Sequence, residues 1–439
     1  GKRTFRSQRS KHFVLRIILS PISYNLYFMK INKHILPNGL RLVHYQDLST
    51  QMVALNIVYD VGARDEDPEH TGFAHLFEHL MFGGSVNIPD YDAPLQSAGG
   101  ENNAWTNNDI TNYYLTVPKS NVEIGFWLES DRMLELAFSE QSLEVQRGVV
   151  MEEFKQRCLN QPYGDVGHLI RPLAYEVHPY RWPTIGKDLS HIEQATLEEV
   201  KSFFYRFYAP NNAVLAVTGN ISWEEAVRLT EKWFGLIPRR NVPVRQLPQE
   251  PVQPQERRQV VKRPVPLDAL FMAFHMCSRE HPDYYAFDIL SDILSNGRSS
   301  RLNRRLVQEQ KLFSGIDAYI SGTRDAGLLH ISGKPSAGVS LEQAEAAVRK
   351  ELQELQQVAM EEQELEKVKN KFESTQIFGN INYLNVATNL AWFELTGQAE
   401  DIDREVERYR AVTAERLKTV AQETFREENS VVLYYEKDK

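Results

Sequence analysis

The spacing of hydrophobic residues predicts strands and helices along the first half of the chain. Residues 30–47, KINKHILPNGLRLVHYQD, carry a Pro-Asn-Gly turn between two alternating runs, which is typical of a pair of strands. Residues 52–63, MVALNIVYDVGA, are apolar at successive positions and predict a strand buried on both faces. A helix follows that strand directly. Further elements are predicted as a strand pair in 102–117, helices from Val122 to about Asn160, a strand in 211–221 and a helix in 222–238.

The second half of the chain repeats this pattern. LDALFMAFHM (267–276) matches MVALNIVYDV (52–61), and each run leads into a Glu-His pair. AHLFEHLMFGG (74–84) aligns with FDILSDILSNG (287–297), and EENSVVLYYEK near the C-terminus aligns with APNNAVLAVTG. We therefore predict an α+β fold of two homologous α/β domains, each an antiparallel sheet with helices packed on it, related by internal duplication.

A proline-rich segment separates the two halves. Residues 238–266 hold recurring prolines among charged and glutamine residues without a hydrophobic period, which predicts a linker. One domain is then expected in residues 30–237 and a second in residues 267–439. Residues 1–29 are expected to be an N-terminal extension outside the fold. Their basic and then apolar character only loosely matches an export signal, so we expect a cytoplasmic location, or a periplasmic one if the segment acts in export.

Composition and charge narrow the class of protein. A chain of 439 residues with 42% hydrophobic residues is longer than one hydrophobic core usually supports, which agrees with two domains. The formal net charge of -9 argues against a nucleic-acid partner. Two isolated cysteines, Cys158 and Cys277, form neither a disulfide framework nor a CxxC metal site. No apolar run is long enough to predict a membrane span.

The helix after the buried strand carries the sequence HLFEH and is expected to start at Thr71. Residues four apart share one face of a helix, so His75 and His79 can point their imidazoles at one ion, and imidazole nitrogen suits zinc. Glu78 lies beside such an ion without having to bind it, where a general base for a water molecule is needed. H-x-x-E-H is the inverzincin signature of zinc peptidases. The alternative interpretation is the polar edge of an ordinary amphipathic helix.

The repeat supplies an internal control for that alternative. The aligned helix of the second half has Asp288, Ser291 and Asp292 at the three positions. A helix that needs polar residues only for solubility can use Asp and Ser, as this one does. The two histidines and the glutamate of the first half therefore weaken the interpretation as an ordinary polar edge.

A catalytic zinc site usually has three protein ligands, so one more is needed. The candidates are Glu152 and Glu153, which are adjacent in the helical stretch LEVQRGVVMEEFKQR. Valines fall on both relevant faces of this helix, so helix phase does not choose between the two glutamates.

Four segments of the chain have to be taken together: HLFEHLMFGGS, GGENNAWTNNDITNYY, QRGVVMEE and, in the second half, GRSSRLNRRL. With these segments the chain resembles the pitrilysin and insulin-degrading enzyme superfamily. Their order and spacing, from about residue 30 to the C-terminus, are most similar to the mitochondrial-processing-peptidase-like branch of two-domain subunits. The resemblance implies a zinc metalloendopeptidase that cleaves unfolded peptides inside an enclosed chamber. The alternative is a non-catalytic structural or peptide-binding subunit of the same fold.

The resemblance also implies roles for individual residues of the first domain. His75 and His79 would bind Zn²⁺ and Glu78 would be the general base. Glu153, the last acid of QRGVVMEE, would be the third ligand. Gln146 stands where the family often has a further glutamate near the metal, so we expect altered electrostatics with the metal retained.

A substrate-binding strand is implied by the segment GGENNAWT. The backbone around Asn103 and Ala104 would pair with an extended peptide by strand addition. The alternative is a polar hairpin that is rich in Asn because turns favour Asn.

One departure from the family pattern concerns the second domain. Active members have an Arg and a Tyr in a segment resembling L-R-x-x-x-x-L-x-Y, and this chain has Val307 and Ser314 at those places. The resemblance thus implies a heterodimer in which a homologous zinc-free partner subunit supplies the Arg and the Tyr, with a homodimer as the alternative.

Overall fold

The computed structural model describes residues 28–438. Its strands are β1 (Ile31–Ile35), β2 (Arg41–Gln46), β3 (Met52–Tyr59), β4 (Glu101–Thr106), β5 (Thr111–Pro118), β6 (Ala213–Gly219), β7 (Arg257–Arg263), β8 (Ala269–His275), β9 (Phe313–Ile320), β10 (Leu328–Pro335) and β11 (Ser430–Lys437). Its α-helices are α1 (Phe73–Leu80), α2 (Asp92–Ser97), α3 (Val122–Leu134), α4 (Glu140–Phe154), α5 (Val166–Ala174), α6 (Leu189–Glu193), α7 (Leu197–Phe207), α8 (Trp223–Phe234), α9 (Tyr284–Ser295), α10 (Leu341–Gln357), α11 (Glu362–Gly379), α12 (Tyr383–Thr396), α13 (Glu405–Ala411) and α14 (Ala414–Thr424). Within residues 28–438, none of these helices combines the length and the apolar character needed to cross a membrane.

The strands form two sheets of the same design. The first sheet has the order β1-β2-β6-β3-β5-β4 and the second has the order β7-β11-β8-β10-β9. In the first, β2 runs parallel to β6 and the remaining neighbours are antiparallel. In the second, β7 runs parallel to β11 and the remaining neighbours are antiparallel. The second sheet therefore repeats β2-β6-β3-β5-β4 strand for strand, which confirms the predicted α+β fold of two related units.

Helices cover both faces of the first sheet. One face packs against α1, α3, α7 and α8 in a core that includes Leu55, Ile57, Phe77 and Phe204. The other face packs against α12, which comes from the second half of the chain. Since β3 lies inside this sheet between the two layers, it is buried on both faces, as its unbroken apolar run predicted.

The two halves exchange helices. Apolar residues of α12 pack on the first sheet and include Val386, Ala387, Leu390 and Ala391. In return, α5 from the first half packs on the second sheet, where Ile170 and Ala174 join a buried cluster with residues of β8 and β11. Each half thus covers a sheet face that the other half cannot cover by itself.

A polar cluster also joins the halves. The loop between β9 and β10 carries Asp325, whose carboxylate lies 3.0 Å from the Arg64 guanidinium and 3.2 Å from the His178 imidazole of the first half. The hydrogen bond with His178, first of all, and the charge of Arg64 lower the pKa of Asp325 to about 2. Arg64 is buried and also meets Asp109 at 3.3 Å.

The predicted linker is shorter than the proline pattern suggested. Helix and strand are absent from about residue 238 to 256, but Arg257–Arg263 forms β7 and pairs with β11. The sequence of β7, RRQVVKR, is polar because this strand lies at the sheet edge with most side chains in contact with water. The predicted extension, residues 1–29, lies outside the described residues apart from positions 28 and 29.

Candidate active site

The position of α1 is set by its first residues. The helix begins at Phe73 rather than at Thr71, because Gly72 has a φ of +89°, a conformation that favours glycine. A Cβ at Gly72 would also lie 2.7 Å from the Ile192 side chain. One face of α1 enters the core through Leu76 and other apolar residues. The side that faces β4 and α4 carries His75, Glu78 and His79.

Three predicted site residues converge at this place. The Nε2 atoms of His75 and His79 lie 3.5 Å and 3.3 Å from the same oxygen, Oε2 of Glu153 on α4. One ligand atom from each residue lies within 4.8 Å of the other two. Within residues 28–438, no other three His, Cys, Asp or Glu side chains converge in this way. The two nitrogens and one carboxylate oxygen match the donor set of a catalytic zinc site with three protein ligands.

The surroundings of His75 keep its imidazole neutral. The residue is 8% exposed, and burial lowers its pKa to about 4, against the opposing pull of the Glu153 charge. A neutral imidazole has a free lone pair on one nitrogen, which is the form that binds a metal ion. The site is thus prepared for a cation without having to lose a proton from His75 at neutral pH.

Glu78 lies beside the three converging residues and is half-buried. Burial raises the pKa of its carboxyl group, while the Thr106 hydroxyl on β4 and the neighbouring His79 act in the opposite sense. A carboxyl group with a raised pKa is a better proton acceptor near neutral pH than an ordinary glutamate. Thr106 could not be predicted from the sequence, because its approach to Glu78 depends on the long-range packing of β4 against α1.

Arg157 binds the second oxygen of Glu153. Its Nη2 atom lies 2.8 Å from Glu153 Oε1, so Oε2 is left for the two histidines. Arg157 belongs to a π-helical turn, Lys155–Leu159, that directly continues α4, and such turns are frequent at functional sites. Sequence reasoning missed Arg157, although its spacing of four residues from Glu153 on a helix was a usable signal.

The neighbouring candidates on α4 are placed differently. Glu152 is exposed and pairs with Lys155 at 2.6 Å, away from the histidines. Gln146 is half-buried and lies near Gly83. Among the described residues, no hydrogen bond joins Gln146 to the three converging side chains.

The predicted substrate strand is β4, at the open edge of the first sheet and in contact with α1. Its residues are alternately exposed and half-buried. The backbone N–H of Ala104 donates to the Asn103 side-chain oxygen at 2.8 Å. That N–H is therefore directed to the free edge and held by an exchangeable side-chain partner.

The aligned helix of the second half, α9, has polar side chains that are satisfied within the protein. Asp288 accepts a hydrogen bond from the Tyr409 hydroxyl at 2.6 Å, and the Ser291 hydroxyl donates to the Asp288 carbonyl at 2.9 Å. Asp292 pairs with Lys371 at 2.8 Å. The same position in the fold has a structural network in one half and three converging ligand types in the other.

The two residues of the second half that depart from the family pattern both have contacts in the structure. Val307 packs against the core of the second half. Ser314, on β9, is exposed and donates its hydroxyl to the Lys334 carbonyl at 3.1 Å. Neither side chain can supply the charge or the phenol that the family pattern has at these places.

Comparisons with known proteins agree with this arrangement. Residues 41–165 match the family described as insulinase (peptidase family M16), and residues 194–372 match the one described as peptidase M16 inactive domain. The chain is 28% identical to a zinc protease, PqqE, of Helicobacter pylori over 82% of this chain and 84% of the relative. It is 25% identical to a probable mitochondrial-processing peptidase subunit beta of Arabidopsis thaliana over 67% of this chain and 58% of that relative.

A solved structure supports the same relationship. The crystal structure of a protease from Helicobacter pylori superposes with a TM-score of 0.89 at 26% identity, covering 93% of this chain and all of that one. Its two-domain architecture is shared along nearly the whole described chain. Together with the two family matches, this shows that the chain belongs to the pitrilysin-like M16 peptidase superfamily.

Proposed function

We propose that this protein is a zinc metalloendopeptidase that cleaves unfolded peptides. The observation that carries the proposal is the convergence of His75, His79 and Glu153 on one point, with Glu78 beside it. Relatives named as zinc proteases support the same class of activity.

The residues present fit a zinc ion. His75 and His79 would contribute Nε2 atoms and Glu153 would contribute Oε2, while Arg157 holds the other carboxylate oxygen. When bound, zinc acidifies a water molecule and polarises a carbonyl group.

Glu78 would move the protons of the reaction. Its carboxylate takes a proton from the attacking water and delivers it to the leaving amine. The raised pKa of Glu78 suits both steps, because a weaker acid accepts the proton more readily and still releases it to an amine.

The open edge of β4 would align the substrate. An extended peptide can pair with the outward Ala104 N–H and replace the Asn103 side chain as its acceptor. Only an unfolded segment can present a free strand to this edge, so folded proteins are poor substrates. An enclosed chamber, as the family resemblance implies, would strengthen that preference.

A partner subunit is part of the proposal. Val307 and Ser314 cannot supply the Arg and Tyr of the family pattern, so a homologous zinc-free subunit would supply both in a heterodimer. A homodimer would lack these groups. A cytoplasmic location likewise remains a prediction.

The test is peptide cleavage by the parent protein and by Glu78→Gln, with and without a chelator. We expect the parent to cleave a fluorogenic unfolded peptide and to lose this activity on chelation. Glu78→Gln should keep bound zinc and lose at least about 100-fold in turnover, since general base catalysis contributes about 10²–10⁴. Turnover that is unchanged in Glu78→Gln would refute the assignment of the base.

The same assay distinguishes the non-catalytic alternative. It is run on the chain alone and with the product of a neighbouring homologous gene, if one exists. Cleavage that increases with the partner supports the heterodimer, and full activity of the chain alone contradicts it. Zinc binding without cleavage under either condition would favour a peptide-binding subunit.

A further inference from the structure

The helix that carries HLFEH lacks a cap of its own. Its N-cap residue is Gly72, which has no side chain to accept a hydrogen bond, so the first backbone N–H groups of α1 need acceptors from elsewhere. Thr71, just before the helix, donates its N–H to His191 at 3.1 Å. The backbone N–H groups of Gly72 and Ala74 both donate to the side chain of one other residue.

That residue is Glu66, in the loop between β3 and α1. Its Oε2 accepts the N–H of Gly72 at 2.9 Å and its Oε1 accepts the N–H of Ala74 at 2.9 Å. The indole N–H of Trp182 also donates to Glu66 Oε2 at 3.1 Å. Glu66 is 6% exposed and Trp182 is 1% exposed, so this arrangement lies within the protein interior.

Two hydrogen bonds to one carboxyl group restrict the orientation of α1 more than a single capping bond would. They hold the first turn of α1 both along and around its axis, and Ala74 immediately precedes His75. Burial raises the pKa of Glu66 to about 8, against the opposing effect of its bonds from the Ala74 and Gly72 N–H groups. Its two oxygens lie at the positive end of the helix dipole. Since α1 has only eight residues, a small rotation at its start would displace both histidines from Glu153.

We propose that Glu66 is a positioning residue for the metal site, which holds α1 at the rotation and depth where His75 and His79 face Glu153. The inference depends on the proposed function, because it requires a metal ion at these three side chains. Glu66 is not one of the three converging side chains, and it acts through the backbone of α1.

Cobalt(II) binding tests the inference, because the visible spectrum of bound cobalt reports the geometry of its ligands. The variant is Glu66→Gln, which keeps the size but presents an NH₂ group to one backbone N–H. The matched control is Glu69→Gln, in the same loop but largely exposed, with Lys187 as its ion-pair partner at 3.4 Å. Cobalt affinity and spectrum are measured for parent, variant and control.

We expect cobalt affinity to fall about tenfold or more in Glu66→Gln with a changed spectrum, since residues that orient metal ligands contribute about 10–100-fold. The control should match the parent. Parent-like affinity and spectrum in Glu66→Gln would overturn the inference alone. A parent protein that binds no cobalt would overturn the proposed function and the inference together.

Glu66→Asp is used if Glu66→Gln does not fold. Aspartate keeps the carboxyl group but is one methylene shorter, so it cannot reach both N–H groups. Weaker cobalt binding with a changed spectrum in folded Glu66→Asp supports positioning. A lower melting temperature with parent-like cobalt binding would show that Glu66 only stabilises the fold, which would overturn the inference.

Discussion

At the scale of single residues, two adjacent glutamates on α4 have separate surroundings. Glu153 faces the two histidines, whereas the Glu152 side chain is exposed and pairs with Lys155. The sequence alone did not distinguish them, because the helix phase is ambiguous, and only the family register indicated Glu153. The structure places Glu153 with the histidines because α4 packs against α1, and a pattern within one helix cannot report that contact.

These two glutamates give a matched pair of variants. Glu153→Gln should weaken zinc binding by about 100-fold or more, since losing a ligand should cost more than the 10–100-fold loss of a group that orients one. Glu152→Gln removes the same charge one residue away and should bind zinc like the parent. Competition with a chromophoric chelator measures both affinities. Equal affinities of the two variants would contradict the proposed ligand set.

Other residues around the site show what a sequence can indicate. The placement of His75, Glu78 and His79 close together was predictable, because one helix carries all three within a single turn. Glu66 was not predicted, because it acts on the backbone of a helix that starts several residues later. The helix was expected to start at Thr71, but the left-handed conformation of Gly72 moves its start to Phe73.

At the scale of elements, the proposed role of the edge strand β4 can be tested separately from the metal site. Ala104→Pro removes the outward N–H, and proline is tolerated at an edge position whose N–H makes no ladder bond. We expect kcat/KM for an unfolded peptide to fall about tenfold or more. One net hydrogen bond contributes about 0.5–1.5 kcal/mol, and the proline ring also obstructs pairing with the peptide. The melting temperature should stay within a few degrees of the parent.

The control for this prediction is Asn103→Ala. It removes only the side chain that occupies the Ala104 N–H and leaves that N–H free for a substrate. Cleavage should therefore be retained or improved. If Ala104→Pro cleaved peptides as the parent does, strand addition at β4 would be wrong.

Elements differ in how well their sequences predict them. β3 was predictable because a strand buried on both faces has an unbroken apolar run. β7 was not predicted, because an edge strand keeps polar side chains and here follows a proline-rich segment. Its strand conformation depends on pairing with β11, which lies at the other end of the second half of the chain.

At the scale of the whole molecule, the exchange of helices joins the two halves. The sequence predicted two repeated units, and the matching strand orders confirm the repeat. It did not predict that α12 would cover the first sheet and α5 the second, because amphipathic patterns do not identify the surface on which a helix packs. The halves are therefore less independent than a linker suggests.

Expressing residues 30–237 alone tests this dependence. Without α12 the first sheet would expose a buried apolar face, which includes Val43, Ala54, Val58 and Val214. At about 25 cal/mol per Å² of apolar surface, leaving such a face in water removes several kcal/mol of stability. We expect an aggregating or unfolded fragment by size-exclusion chromatography and circular dichroism, and improved solubility when residues 238–439 are co-expressed. A stable, monomeric fragment would contradict this.

The proposed peptidase activity depends on one zinc ion held by His75, His79 and Glu153. The most direct measurement is an anomalous difference map, collected at the zinc absorption edge from crystals of the zinc-loaded protein. We expect one strong peak per chain, about 2.0–2.2 Å from Nε2 of each histidine and from a carboxylate oxygen of Glu153. Zinc bound only at other residues, or no peak between these three side chains, would contradict it.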